Sequence, residues 1–156
     1  MLRITIVINY MYTFLPNQKR RHMKMLTPCE IAVKIALPSV RAMVANELMN
    51  THNLNQAEAA KLLGISQPAV SLYQQKLRGN SINLDADAEI TALVTKHASF
   101  LVNGNPTYTD KLTSFCEICR TIRSKGYLCS IHKAFDPMVD IENCDFCKTK
   151  DTLACP

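Results

Sequence analysis

The sequence predicts a mainly α-helical protein with a helix-turn-helix segment, a connecting helix and a small cysteine-rich C-terminal module. Three observations predict it. Helix-capping residues recur just ahead of apolar residues spaced three and four apart, the period of a helix with one buried face. Two short amphipathic stretches, LNQAEAAKLL and SQPAVSLYQQ, are separated by Gly64 and Ile65. Cysteines occur in close pairs toward the C-terminus, a pattern that suits metal ligation.

The 156 residues allow one domain or two small ones, and 47% hydrophobic with 20% charged residues is a globular composition. The net charge of +5 resides wholly in residues 1–27, which carry Arg3, Lys19, Arg20, Arg21 and Lys24 and no acid. The rest of the chain balances its charges, so a local motif must carry any nucleic-acid reading.

The opening MLRITIVINYMYTFLP has an apolar run interrupted by Arg3 and Asn9, whereas a bilayer-spanning helix needs ~20 apolar residues. A signal peptide carries its cations ahead of the apolar run, and here NQKRRH follows it. Residues 1–24 are therefore read as a mis-assigned start or a disordered leader, and the protein as cytoplasmic with no membrane partner. Seven cysteines, an odd number without a secretory signal, suit metal or redox chemistry better than structural disulfides.

In chain order, TPCE at 27–30 reads as a capping box, with Thr27 as N-cap, Pro28 at the first position and Glu30 at the third. The apolar run Ile31–Leu37 is expected to end near Pro38, and Ser39 to cap a second helix with Val40, Met43, Val44 and Leu48 on one stripe. Gln56 to Leu63 forms the next helix. Gly64 takes the left-handed conformation of a sharp turn, Ile65 buries itself there, and Ser66 caps a helix from Gln67 to about Lys76. Pro68 is tolerated because first-turn amides have no helical partner. RGNS at 78–81 is a break.

Three acids open the helix in LDADAEITALVTKHASFLVNG, and Gly104 ends it. Its stripe Ile90, Leu93, Val94, His97 and Leu101 belongs either to a core or to an interface with a second subunit, and His97 reads as a packed core histidine. A further helix starts near Pro106 and carries Leu112 and Phe115 into the first cysteine pair. The expected boundaries are 25–80, 81–105 and 106–156.

The stretch 54–79 has a small residue at Ala60, the turn glycine, apolar Val70 and Tyr73, and polar Gln67, Ser71 and Gln74 on one outward face. It resembles the helix-turn-helix of phage-repressor type (lambda/Cro-like, XRE-type) over roughly residues 38–80. The resemblance implies a lambda-repressor-like domain whose second helix enters the DNA major groove. It also implies a phosphate contact from Gln56, and base contacts from Gln67, Pro68 and Ser71. Leu72 departs from the polar residue often found there. Gln67 and Ser71 lie about 6 Å apart along one helix face, and a glutamine amide matches the N6 and N7 edge of adenine. With Ser66, Gln74 and the phosphate-reaching Lys61, Lys76 and Arg78, these residues form the expected contact set for a double-stranded DNA operator. One such helix reads few bases, so a homodimer on a palindrome is expected, with the 84–102 stripe as its candidate interface.

Cys116, Cys119, Cys129 and His132 stand in C-x2-C-x9-C-x2-H spacing, the pattern of a closed zinc site. Cys144, Cys147 and Cys155 remain, with Cys29 as a candidate companion, and suit an iron–sulfur site; all the cysteines sharing a single [4Fe-4S] cluster is the third arrangement. TPCE, the repressor-like segment and the cysteine-rich tail together resemble a group of predicted archaeal transcriptional regulators. The expected function is a sequence-specific DNA-binding regulator, not an enzyme, whose tail binds zinc or an iron–sulfur cluster and either staples a small dimerisation or effector module or senses metal or redox state. The competing readings are a zinc-ribbon RNA- or ribosome-associated binder and a redox enzyme using Cys144 and Cys147. The first needs a basic tail, yet residues 116–156 balance their charges.

Overall fold

The first helix runs straight through the break expected at Pro38. In the computed structural model, which describes residues 26–148, the chain is α-helical over Pro28–Ile31, π-helical over Ala32–Ala36 and α-helical again over Leu37–Asn50. The three segments form one continuous helix, α1 (residues 28–50). The expected leader and Cys155 lie outside the described residues.

Thr27 caps α1 as the sequence predicts: its hydroxyl accepts from the Glu30 N–H, and the Glu30 carboxylate accepts from the Thr27 N–H. In a regular α-helix, Pro38 would lack an N–H and press its ring on the carbonyl four residues back. A wider π turn lies just ahead of it, where the Leu37 N–H reaches back to the Ala32 carbonyl. That widening lets the helix continue past the ring. Ser39 caps nothing; it is buried, and its hydroxyl donates to the Ile35 carbonyl at 3.1 Å. The expected pair of helices is thus one helix with one uninterrupted apolar face: Ile31, Ile35, Val40, Val44 and Leu48 are all buried.

The remaining helices are α2 (Gln56–Leu63), α3 (Gln67–Gln74), α4 (Ala88–Asn103), α5 (Tyr108–Ser124) and α6 (Cys129–Phe135). The described part is mainly helical and contains no strand. Each of α2 to α6 packs against α1, and α4 also packs against α5.

Gly64 has φ +64°, the left-handed turn expected between α2 and α3. Asn55 caps α2, its side-chain oxygen accepting from the Ala57 and Glu58 N–H groups while Glu58 reaches back to the Asn55 N–H. Ser66 occupies the N-cap position of α3, but its hydroxyl makes no capping hydrogen bond. The helix ends at Gln74, short of Lys76, which has φ +55° and whose carbonyl accepts from the Asn80 amide.

The α4 stripe is spent inside the chain. Ile90, Val94, Ala98 and Leu101 are buried in the same core as α1, joined by Ile118 and Ile122 of α5. The expectation that this stripe forms a subunit interface is therefore corrected, because its apolar area is already removed from water by α1. His97 is the packed core histidine expected: 3% exposed, its Nδ1 2.9 Å from the Ser114 hydroxyl and its ring edge-on to Phe115. Burial pushes its pKa down. One hydrophobic core extends from Leu26 to Leu128, so the helix bearing Cys116 and Cys119 shares the core of the α2–α3 pair. No described helix is long and apolar enough to cross a membrane.

Asp87 caps α4 and ties it to the end of α5. The Lys125 ammonium lies 2.7 and 2.8 Å from its two oxygens, the Tyr127 hydroxyl donates at 2.9 Å, and the Glu89 and Ile90 N–H groups donate as well. The Lys125 hydrogen bonds first, then that from the Ile90 N–H, hold the carboxyl at about 2, below its ordinary 3.8. The unfolded chain therefore binds the proton more tightly than the native one. Stability from this group is fully present above about pH 4 and is lost as the pH falls through about 2. Asp87→Asn should accordingly flatten the acid limb of a urea-midpoint titration between those values; an unchanged limb would rule out the linkage.

Candidate nucleic-acid interface and cysteine cluster

The pair α2–α3 presents two chemically different sides. Ala59, Ala60, Val70 and Tyr73 are buried toward α1, while Gln67, Pro68, Leu72 and Gln74 face solvent. The inner residues are small or flat, which allows the two helices to cross closely. The outer side carries a chain of side-chain amides. The Gln67 Nε2 donates to the Gln56 Oε1, and the Gln56 Nε2 donates to the Gln74 Oε1. Three of the expected contact residues, from the starts of both helices and the end of α3, are thus oriented by one another. Among the described residues, the Gln67 side-chain oxygen and its second N–H have no hydrogen-bond partner, and they are the acceptor and donor that an adenine edge requires.

The other expected contacts divide. Ser71 is half-buried and its hydroxyl accepts from the Gln75 amide at 3.0 Å. Arg78 lies over the Tyr73 ring at 5.7 Å, which braces its stem while the residue stays exposed. Lys76 is exposed beyond the end of α3. Lys61 is exposed and lines a cleft with residues of α4 and α5.

The cysteines do not form the two knuckles that their spacing suggests. Cys116 and Cys119 stand one turn apart within the regular helix α5, so that helix, not a knuckle loop, sets their separation. Cys129 opens α6, and it lines a small cavity of about 30 Å³ together with His132, Cys144 and Cys147. The segment after α6 thus returns its C-x2-C pair to α6, while Cys116 is not part of that lining. Burial pushes the Cys129 thiol pKa up, with neighbouring Cys147 and Cys144 adding to the effect. The His132 Nε2 is 2.6 Å from the Leu26 carbonyl, an acceptor only, so Nε2 is the donor and Nδ1 is the nitrogen that could ligate a metal.

Among the described residues no group of three or more His, Cys, Asp or Glu side chains is arranged to hold a metal ion. The chemistry of the cavity nevertheless suits one. Three thiols and one imidazole nitrogen form a soft donor set, and a carbonyl on the far nitrogen is how ligating histidines are ordinarily oriented. Arg123 lines the same cavity. It is 7% exposed, its Nη1 lies 3.4 Å from the Cys29 sulfur, and its Nε has no hydrogen-bond partner among the described residues. Among the described residues Arg123 is in no ion pair; a buried cation is costly unless an anion joins it, and thiolates holding a metal there would supply that negative charge.

Arg123 lies in no sequence motif, and only its burial singles it out. Asn55, by contrast, is legible, since Asn-x-x-Glu at 55–58 is a capping-box pattern. No family model, curated protein or solved structure matches the chain.

Proposed function

We propose that the chain is a sequence-specific DNA-binding transcriptional regulator of helix-turn-helix type, with a zinc ion held by its cysteine-rich C-terminal segment. The hydrogen-bonded run Gln67–Gln56–Gln74 on the exposed side of α2–α3 carries this reading. In it α3 is the recognition helix. Gln67 reads a base edge with an amide that Gln56 holds in place, so little rotamer freedom is lost on binding. Gln56 also faces phosphate, and Lys76 and Arg78 supply further backbone contacts. Two copies on a palindrome pair through a surface other than the α4 stripe. The resemblance to predicted archaeal regulators supports the same assignment.

Selection of the operator from a random library, followed by binding titrations at one salt concentration, tests it. Gln67→Ala should cost ~1–3 kcal/mol on the selected site and little on random DNA. Equal losses on both, or no selected sequence at all, would reject base reading by α3.

For the metal, Cys129, Cys144 and Cys147 with the His132 Nδ1 are the proposed ligands, a Cys₃His set that zinc takes in tetrahedral sites. When bound, zinc supplies a cross-link and a compact anionic thiolate group beside Arg123. The chain's own part is to present the thiols on α6 and the segment after it, and to fix the imidazole through Leu26. Metal analysis of purified protein should find zinc, lost in Cys129→Ser and Cys144→Ser but retained in Cys116→Ser. Retention in the first two, or iron and sulfide in place of zinc, would overturn this ligand set.

A further inference from the structure

A cleft of about 390 Å³ opens where α2 meets the far ends of α4 and α5. Its apolar lining comes from Leu62 and Leu63 of α2, Leu101 of α4, and Leu112 and Phe115 of α5. Three cations from three different helices also line it: Arg41 of α1, Lys61 of α2 and Lys111 of α5. Among the described residues, no acidic one lines it. Among the described residues, none of these cations is in an ion pair. His97 lines it too; burial lowers its pKa, and its Nδ1 is engaged with Ser114.

The combination constrains what fits. A volume of this order is that of a small-molecule site, where apolar walls bind the body of a ligand and a few polar groups orient it. A wholly apolar ligand would bring three ammonium and guanidinium groups toward hydrocarbon with nothing to offset their desolvation. A bare inorganic anion would satisfy the cations and leave Leu112 and Phe115 uncovered. We infer that the cleft binds a small organic anion, a carboxylate on an aromatic or branched aliphatic body. The body lies against the leucines and Phe115, and the carboxylate faces Arg41, Lys61 and Lys111. Because Gly64 is also part of the lining, an occupied cleft braces the α2–α3 turn against α5. Any consequence for operator affinity rests on the proposed DNA-binding reading, whereas the binding itself does not.

The test is isothermal titration of the full chain, without DNA, using 2-naphthoate and its uncharged analogue 2-naphthamide as probes. A carboxylate held by charge-assisted hydrogen bonds should bind roughly tenfold or more tightly than the amide. The double variant Arg41→Gln, Lys111→Gln should bring the carboxylate down to the amide's affinity. Leu112→Glu, which sets an acid at a half-exposed position of the lining, should abolish carboxylate binding; circular dichroism establishes that each variant is folded. Equal affinity for both probes, no binding of either, or displacement of naphthoate by an equal concentration of inorganic phosphate would each overturn the proposal. These outcomes are independent of the operator titrations, so either reading can fail alone.

Discussion

Gly79→Ala is expected to destabilise the protein by ~2–5 kcal/mol, from left-handed strain and core overpacking together. Gly79 has φ +77°, which an alanine adopts only at a cost. Steric overlap costs more. A Cβ there would meet the Pro38 carbonyl oxygen at 2.6 Å, the Ala42 Cβ at 2.7 Å and the Tyr73 ring at 3.1 Å. Two of those neighbours belong to α1, one of them a backbone atom, so relief requires moving the chain after α3 away from the centre of the fold. Gly64 provides the control. It has a similar φ of +64° but nothing within 4 Å of an added Cβ, so Gly64→Ala should cost only ~1–2 kcal/mol. Equilibrium urea unfolding of the two variants separates strain from contact, and equal losses would mean that the approach of Gly79 to α1 is not tight.

Ile122→Ala is expected to cost ~2–5 kcal/mol and to lower a single unfolding transition of the whole described fold. Ile122 is fully buried, one turn beyond the equally buried Ile118, and both belong to the core that also holds Ile31, Val70 and Ile90. Truncation leaves a cavity in the core that α5 shares with α1, and α1 also supports α2 and α3. If the cysteine-bearing part were a separate module held by its metal, the same substitution would melt that part alone. Thermal unfolding followed by circular dichroism, alongside limited proteolysis of the α2–α3 region, distinguishes the outcomes. Two transitions, with α2–α3 still protected after the first, would disprove the shared core.

What was legible in the sequence was local. Thr27 and Gly64 act on backbone groups within a few residues of themselves, so residue type and spacing suffice to read them. The period of apolar residues likewise located α4 and set Ile90, Leu93, Val94, His97 and Leu101 on one face, leaving open whether a core or a second subunit covers it. The same logic failed at Pro38. The sequence records the missing N–H but not the π turn over Ala32–Ala36 that accommodates it, and that turn lies in a helix packed on several sides.

The candidate sites follow the same division. Sequence alone determined a mainly helical chain, with a glycine turn between two short amphipathic helices and a supply of soft ligands near its end. Tertiary structure decided which groups meet. It paired Gln56 with Gln67 and Gln74, and it gathered Cys129 and His132 with Cys144 and Cys147 while leaving Cys116 on a regular helix. It also set Arg123 in the same cavity and covered the α4 stripe with α1. An amphipathic stripe states only that it needs an apolar partner, and a thiol pair only that it can bind; which surface or ligand answers depends on chain segments tens of residues away, where spacing along the sequence carries no distance information.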